Sequence, residues 1–139
     1  MESYLVWIFT DRRAKEDSDL SLYLTFCGTK GKTGELGPYT NFKAGEKKTI
    51  EFSVPESLGD ITLLKIKLVK EPTSTHLSWE GQYIHVVPLP DYHDHPGWIF
   101  TLGRTFRADN GWYMTSFPRV PNLAKKEKEE DIPKSVCEQ

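Results

Sequence analysis

Apolar and polar residues alternate with a period of two through most of the chain. Leu20, Leu22, Leu24 and Phe26 fall on one side of an extended segment, and Ser21, Tyr23, Thr25 and Cys27 on the other. Ile50, Phe52 and Val54 alternate with Thr49, Glu51 and Ser53, and Leu64, Ile66 and Leu68 with Lys65, Lys67 and Val69. Each is the signature of a half-buried strand. The same reasoning predicts strands over 3–10, 83–87, 98–102 and 112–116 and a short one within 33–39, with Gly, Pro, Asn and Asp supplying the breaks. No long segment before residue 120 keeps a helical apolar period, so about eight short strands predict an all-β fold of two packed sheets.

After Pro118 and Pro121 the pattern changes to Asn122-Leu123-Ala124-Lys125-Lys126-Glu127-Lys128-Glu129-Glu130-Asp131, a mixed-charge run with few apolar residues. The expected division is one β-sandwich domain over 1–121 and a charged linker or tail over 122–139. A chain of 139 residues is long enough for one such domain to stand alone. Charged residues make up 27% of it but balance to a net charge of -2, which leaves no broad positive field to gather nucleic acid.

The N-terminal apolar run, Tyr4 to Phe9, is short and has no basic leader, so neither a signal peptide nor a membrane span is expected. With Cys137 in a polar tail, Cys27 and Cys137 are expected as reduced thiols, and the expected location is cytoplasmic, with peripheral membrane contact. Nothing points to catalysis. Cys27 has no histidine or cation fixed beside it by sequence, and Gly28 to Gly34 lacks a Gly-Lys-Ser/Thr ending and a following helix, so it reads as a hairpin turn. Tyr92-His93-Asp94-His95 sets two imidazoles around a carboxylate, but Pro90 and Pro96 bracket it as a loop with no third metal ligand in view.

Between the strands ending at Val69 and starting at Tyr83 lies a polar segment with a single large aromatic, Trp79. Placed mid-loop it is a candidate for outside contact, or for a lid folded over the end of the sandwich. A second candidate surface lies on the first strand. With Tyr4, Val6 and Ile8 inward, Leu5, Trp7 and Phe9 point outward together and need a cover: another domain, a partner protein, or this chain's own segment holding Trp112, Tyr113 and Phe117.

The order of several short motifs resembles the PLAT, or lipoxygenase-homology, domain family over residues 3 to 107. Tyr4-Leu5-Val6-Trp7-Ile8-Phe9-Thr10 is similar to the family's first strand, Ser18-Asp19-Leu20-Ser21-Leu22-Tyr23-Leu24 to its second, and Gly28-Thr29-Lys30-Gly31-Lys32-Thr33-Gly34 to the turn that follows. Asn41-Phe42-Lys43-Ala44-Gly45 resembles its Asn/Asp-Phe-Glu-x-Gly segment, Leu58-Gly59-Asp60-Ile61 its Leu-Gly-Asp/Glu-Ile step, Trp79 its loop tryptophan, and Phe100 to Phe106 with Arg104 a degraded closing motif. Taken singly none of these is specific; their order is.

The resemblance implies a β-sandwich of two four-stranded antiparallel sheets that does no chemistry itself and carries an enzyme or another protein to lipid. It makes the chain a non-catalytic lipid- or membrane-targeting module, on its own or at the N-terminus of a lipoxygenase-like protein. The alternative is a protein-interaction module docking a partner or adjacent domain through Leu5, Trp7 and Phe9. For lipid contact the resemblance brings Arg12, Arg13, Lys15 and Lys43 to the end where Trp79 would sit. For calcium the matching positions are Asp17, Asp19 and Asn41, but the family's glutamate is Lys43 here, and the added cations oppose another.

Overall fold

The computed structural model describes residues 2–13, 19–75, 78–89 and 96–107, together with the backbone of 114–116. These form β1 (Glu2–Thr10), β2 (Ser21–Gly28), β3 (Leu36–Tyr39), β4 (Lys47–Val54), β5 (Ile61–Val69), β6 (Ser78–Leu89), β7 (Trp98–Arg107) and β8 (Met114–Ser116). One four-stranded sheet has the order β4-β1-β6-β7 and the other β3-β2-β5-β8, with antiparallel pairing throughout. The sandwich expected from the alternation and the resemblance is the one formed. Among the described residues no helix is long and apolar enough to cross a membrane. The expected boundary at residue 121, and the segment 122–139 beyond it, lie outside the described residues.

The inner faces are the alternate positions read from the sequence. Tyr4, Val6 and Ile8 of β1 meet Leu22, Leu24 and Phe26 of β2 and Leu64, Ile66 and Leu68 of β5 in one buried cluster. Phe26 joins the two layers, its ring 5.4 Å from Phe52 on β4 and 6.3 Å from Phe100 on β7. Full burial of side chains of this kind is worth about 1.5–3 kcal/mol each, which makes their alternation decisive for the register.

Among the described residues the outer edge of β4 has no partner strand, and an open edge invites pairing with other chains. Lys48 stands opposite Ile8 in the register, on the inward face, with its Nζ 5.5 Å from the Phe42 ring. An inward-facing charge at an edge strand tolerates its own loop aromatic but would be buried by an added strand, so it discourages edge-to-edge association.

At the end of the sandwich away from the β1–β2 loop, Leu58-Gly59-Asp60-Ile61 closes the core. Gly59 adopts φ 75, and a Cβ there would collide with Thr29 Oγ1, so the step needs glycine. The buried Leu58 N–H donates to the Tyr4 hydroxyl at 3.1 Å. Tyr4→Phe leaves that N–H unsatisfied and is expected to cost about 1–3 kcal/mol, read as a lower urea midpoint with an unchanged slope. An unshifted midpoint would show that the bond contributes nothing.

Candidate functional site

The register places the loops β1–β2, β3–β4 and β5–β6 at one end of the sandwich. Thr10 N–H donates to the Glu46 carbonyl and Gly45 N–H to the Thr10 carbonyl, each at 3.1 Å, which clamps the β3–β4 loop to the end of β1. Arg12, Arg13 and Lys43 are all exposed at this end. Lys15 and Asp17 fall among residues 14–18, outside the described residues.

Trp79 corrects the expectation of a loop-tip anchor. It lies on β6, opposite Phe106 of β7, and is only 1% exposed. Its indole N–H donates to Thr10 Oγ1 at 2.9 Å, and its ring lies 5.4 Å from Phe42 and 5.5 Å from Phe106. The strand was misread because its phase is interrupted. Trp79 and Ile84 both point inward although they are five positions apart, which alternation alone forbids. The register shift between Gly81 and Tyr83 supplies the bulge that reconciles them. A Cβ on Gly81 would lie 2.6 Å from the Trp79 ring, so the glycine makes room for the indole.

Asp19 acts as a buckle between loops. Its carbonyl accepts from Thr40 Oγ1 and from Ser74 Oγ, each at 3.1 Å, while its Oδ2 accepts from Thr75 N–H at 2.7 Å and Thr75 Oγ1 at 3.0 Å. Calcium asks for six to eight oxygens converging on one point. Of the three residues named for it, Asp19 has an oxygen committed to Thr75, Asn41 is exposed with φ 65, and Asp17 is not described. Among the described residues no group of three His, Cys, Asp or Glu side chains converges. The described residues thus show no calcium cage, and Asp17 lies outside them. The histidines at 93 and 95 also lie outside the described residues.

On the other face of the same sheet, Leu5, Trp7 and Phe9 do project outward together, each half-buried. The register sets Trp7 beside His85 and Phe9 beside Tyr83, and His85 in turn beside Ile99. Phe9 and Tyr83 stack at 5.2 Å with 4° between their planes, and Trp7 and His85 lie 5.2 Å apart at 50°. Lys47 reaches over the Trp7 ring at 5.3 Å, and a His85 ring nitrogen bonds to the Pro96 carbonyl at 2.7 Å, pinning the imidazole in the stripe. Cross-strand neighbours thus supply part of the cover that these side chains need. The sequence held this signal: Tyr83 and His85 alternate with the buried Ile84 and Val86. Trp112, Tyr113 and Phe117, the internal cover considered above, lie outside the described residues.

Cys27 is wholly buried and disulfide-bonded, which corrects the expectation of reduced thiols. Cysteine usage therefore lends no support to a reducing compartment.

No family model matches this chain, and no curated protein does. Solved structures do. A LOX variant carrying a Delta413-417:GS replacement, in anaerobic complex with arachidonate, superposes with a TM-score of 0.71 at 21% identity, covering 88% of this chain and 18% of that one. The coral 8R-lipoxygenase, described as activated by calcium via a C2-like domain, superposes with a TM-score of 0.63 at 20% identity over 86% of this chain and 18% of its own. This chain spans less than a fifth of the length of these lipoxygenases. Its fold is the C2-like, or PLAT, β-sandwich.

Two expected outcomes follow from the geometry. Trp79→Ala should cost about 3–5 kcal/mol of stability, as loss of a fully buried aromatic does, measured by chemical denaturation; a loss below 1 kcal/mol would place the indole at the surface. Asp19→Ala removes only the bonds from Thr75 and should cost about 1–2 kcal/mol and speed amide exchange at Thr75. Unchanged exchange there would remove the buckle.

Proposed function

We propose that this chain is the non-catalytic docking and targeting module of a lipoxygenase-like, lipid-metabolising protein. The observation that carries this reading is the outward stripe of Leu5, Trp7 and Phe9 with Tyr83, His85 and Ile99, on a sandwich whose fold is that of a lipoxygenase C2-like domain. Stacked aromatics held in fixed rotamers lose little entropy on contact, and a half-covered apolar stripe suits a flat protein surface better than solvent. The surface to be covered is a neighbouring domain or a partner protein.

The test uses a lipoxygenase catalytic body from which its own C2-like domain has been removed. Sedimentation velocity is expected to show the chain associating with it, and Trp7→Glu to abolish the association while shifting the chain's own melting only slightly. Association unaffected by Trp7→Glu would reject the stripe as the docking face.

A second reading is favoured by the cations at the loop end. Arg12, Arg13 and Lys43 stand exposed on two clamped loops, an arrangement suited to anionic lipid at roughly 1 kcal/mol per charge. With Trp79 in the core, this contact is electrostatic, weak, salt-sensitive and independent of calcium. In liposome co-sedimentation, Arg12→Glu with Lys43→Glu should abolish binding to anionic vesicles, and added calcium should not enhance it. Binding that requires calcium, or that survives 0.5 M salt, would contradict this reading.

A further inference from the structure

On the sheet that the docking stripe does not use, two side chains face outward and are nevertheless covered. The β2–β5 register sets Cys27 opposite Leu63, Thr25 opposite Lys65 and Tyr23 opposite Lys67, in alternation with the inward Phe26 and Leu64. Alternation therefore turns Cys27 and Leu63 to the outer face. Both are buried, at 0% and 5% exposure, although neither belongs to the cluster between the sheets. The outer face of a two-layer sandwich ordinarily meets solvent, so burial there calls for more chain lying over it.

The surroundings of this patch are cationic. Lys32 stands opposite Cys27 in an antiparallel bridge, so its side chain leaves on the same face, and Lys65 and Lys67 follow along β5; all three are exposed. Lys67 Nζ lies 3.7 Å from Glu35 Oε1 and 5.5 Å from the Tyr23 ring. One carboxylate against three ammonium groups leaves the face positive. Its cover must bring apolar groups to Leu63 and carboxylates to the lysines.

The chain itself contains a segment of this chemistry. Cys27 is disulfide-bonded, and the one other cysteine of the sequence is Cys137. The backbone of β8 already leads to this sheet. Ser116 pairs with Leu64 and Thr115 with Lys65, so β8 runs antiparallel to β5 toward the end where Leu63 and Cys27 lie, and stops two strand spacings, roughly 10 Å, from Cys27. Residues 117–136 can span roughly 65 Å when extended, far more than a return to Cys27 requires. Within the C-terminal sequence, Glu127-Lys128-Glu129-Glu130-Asp131 carries four carboxylates against one ammonium, and Ile132 and Val136 come shortly before Cys137. We propose that the C-terminal segment 117–139 docks on the outer face of the β2–β5 pair, stapled by a Cys27–Cys137 disulfide, with its carboxylates on Lys32, Lys65 and Lys67, and that reduction of the staple uncovers this face. A dithiol supplies the two electrons: one of its thiolates attacks a sulfur of the staple, its second thiol closes the dithiol's own disulfide, and Cys27 and Cys137 are released as thiols. The device rests neither on the apolar stripe nor on the cationic loop end, which are other surfaces.

The test is peptide mapping and lysine acylation of the whole 139-residue chain, before and after dithiothreitol. Digestion of the monomer without reductant should give a linked pair of peptides holding Cys27 and Cys137, which dithiothreitol separates. Brief acylation with an N-hydroxysuccinimide ester should then modify Lys32, Lys65 and Lys67 about threefold faster in the reduced chain, as release from surface ion pairs predicts, with Lys47 on the other sheet unchanged. Cys137→Ser should match the reduced wild type. Glu127→Lys with Glu130→Lys should raise acylation of the same three lysines while the staple stays closed, which separates docking from tethering. Should Cys137→Ser lose the native circular dichroism spectrum, reduction of the wild type and the double charge reversal carry the same test. Two free thiols, or Cys27 linked to a second copy of the chain, would overturn the staple. A linked pair with lysine reactivity unchanged by reduction would overturn the docked segment, and so would an equal rise at Lys47, which marks general loosening.

Discussion

The hydrogen bond from the Trp79 indole to Thr10 Oγ1, inside a ring of Phe42, Phe106 and Gly81, joins four parts of the chain at one point. It ties β6 to the end of β1, seats β7 beside both, and fixes the loop that carries Lys43. An indole N–H buried without a partner would be costly, and Thr10, itself 1% exposed, would be left equally unpaired. The two satisfy each other, and the bond holds the end of β1 against the start of β6. Among the described residues of this end, Arg12, Arg13 and Lys43 are exposed while Phe42 and Trp79 are buried.

That division leaves two outward surfaces with different chemistry on one scaffold. The stripe from Leu5 to Phe9, with Tyr83 and His85, is apolar and ordered by stacking. The loop end is polar, held together by Asp19 and by the clamp between Thr10 and the β3–β4 loop. Both surfaces depend on strand β1, whose inner residues fill the core while its outer residues form the stripe and its last residue anchors Trp79. The docking and targeting role proposed above would need separable contacts of this sort, and a β-sandwich supplies them on a face and an end.

Much of the fold could be read from alternation. Leu20, Leu22, Leu24 and Phe26 are all fully buried, and the outward direction of Leu5, Trp7 and Phe9 follows from the same period. Reading failed where the period breaks. The bulge after Gly81 shifts the phase between Trp79 and Ile84, so the first third of β6 looked like loop and its tryptophan like a surface anchor. Asp19 failed for another reason. Its position before a strand suited a ligand as well as a hydrogen-bond acceptor, and only the fold brings Thr40, Ser74 and Thr75 to it.

The account turns on whether Trp79 is part of the core or part of the contact surface. A chain with Trp79 as its sole tryptophan, made with Trp7→Phe, Trp98→Phe and Trp112→Phe, lets its fluorescence be followed alone. Blue-shifted emission, resistant to acrylamide and unchanged when lipid vesicles are added, is the predicted result. Emission typical of solvated indole that shifts to the blue and becomes protected only on adding vesicles would contradict it.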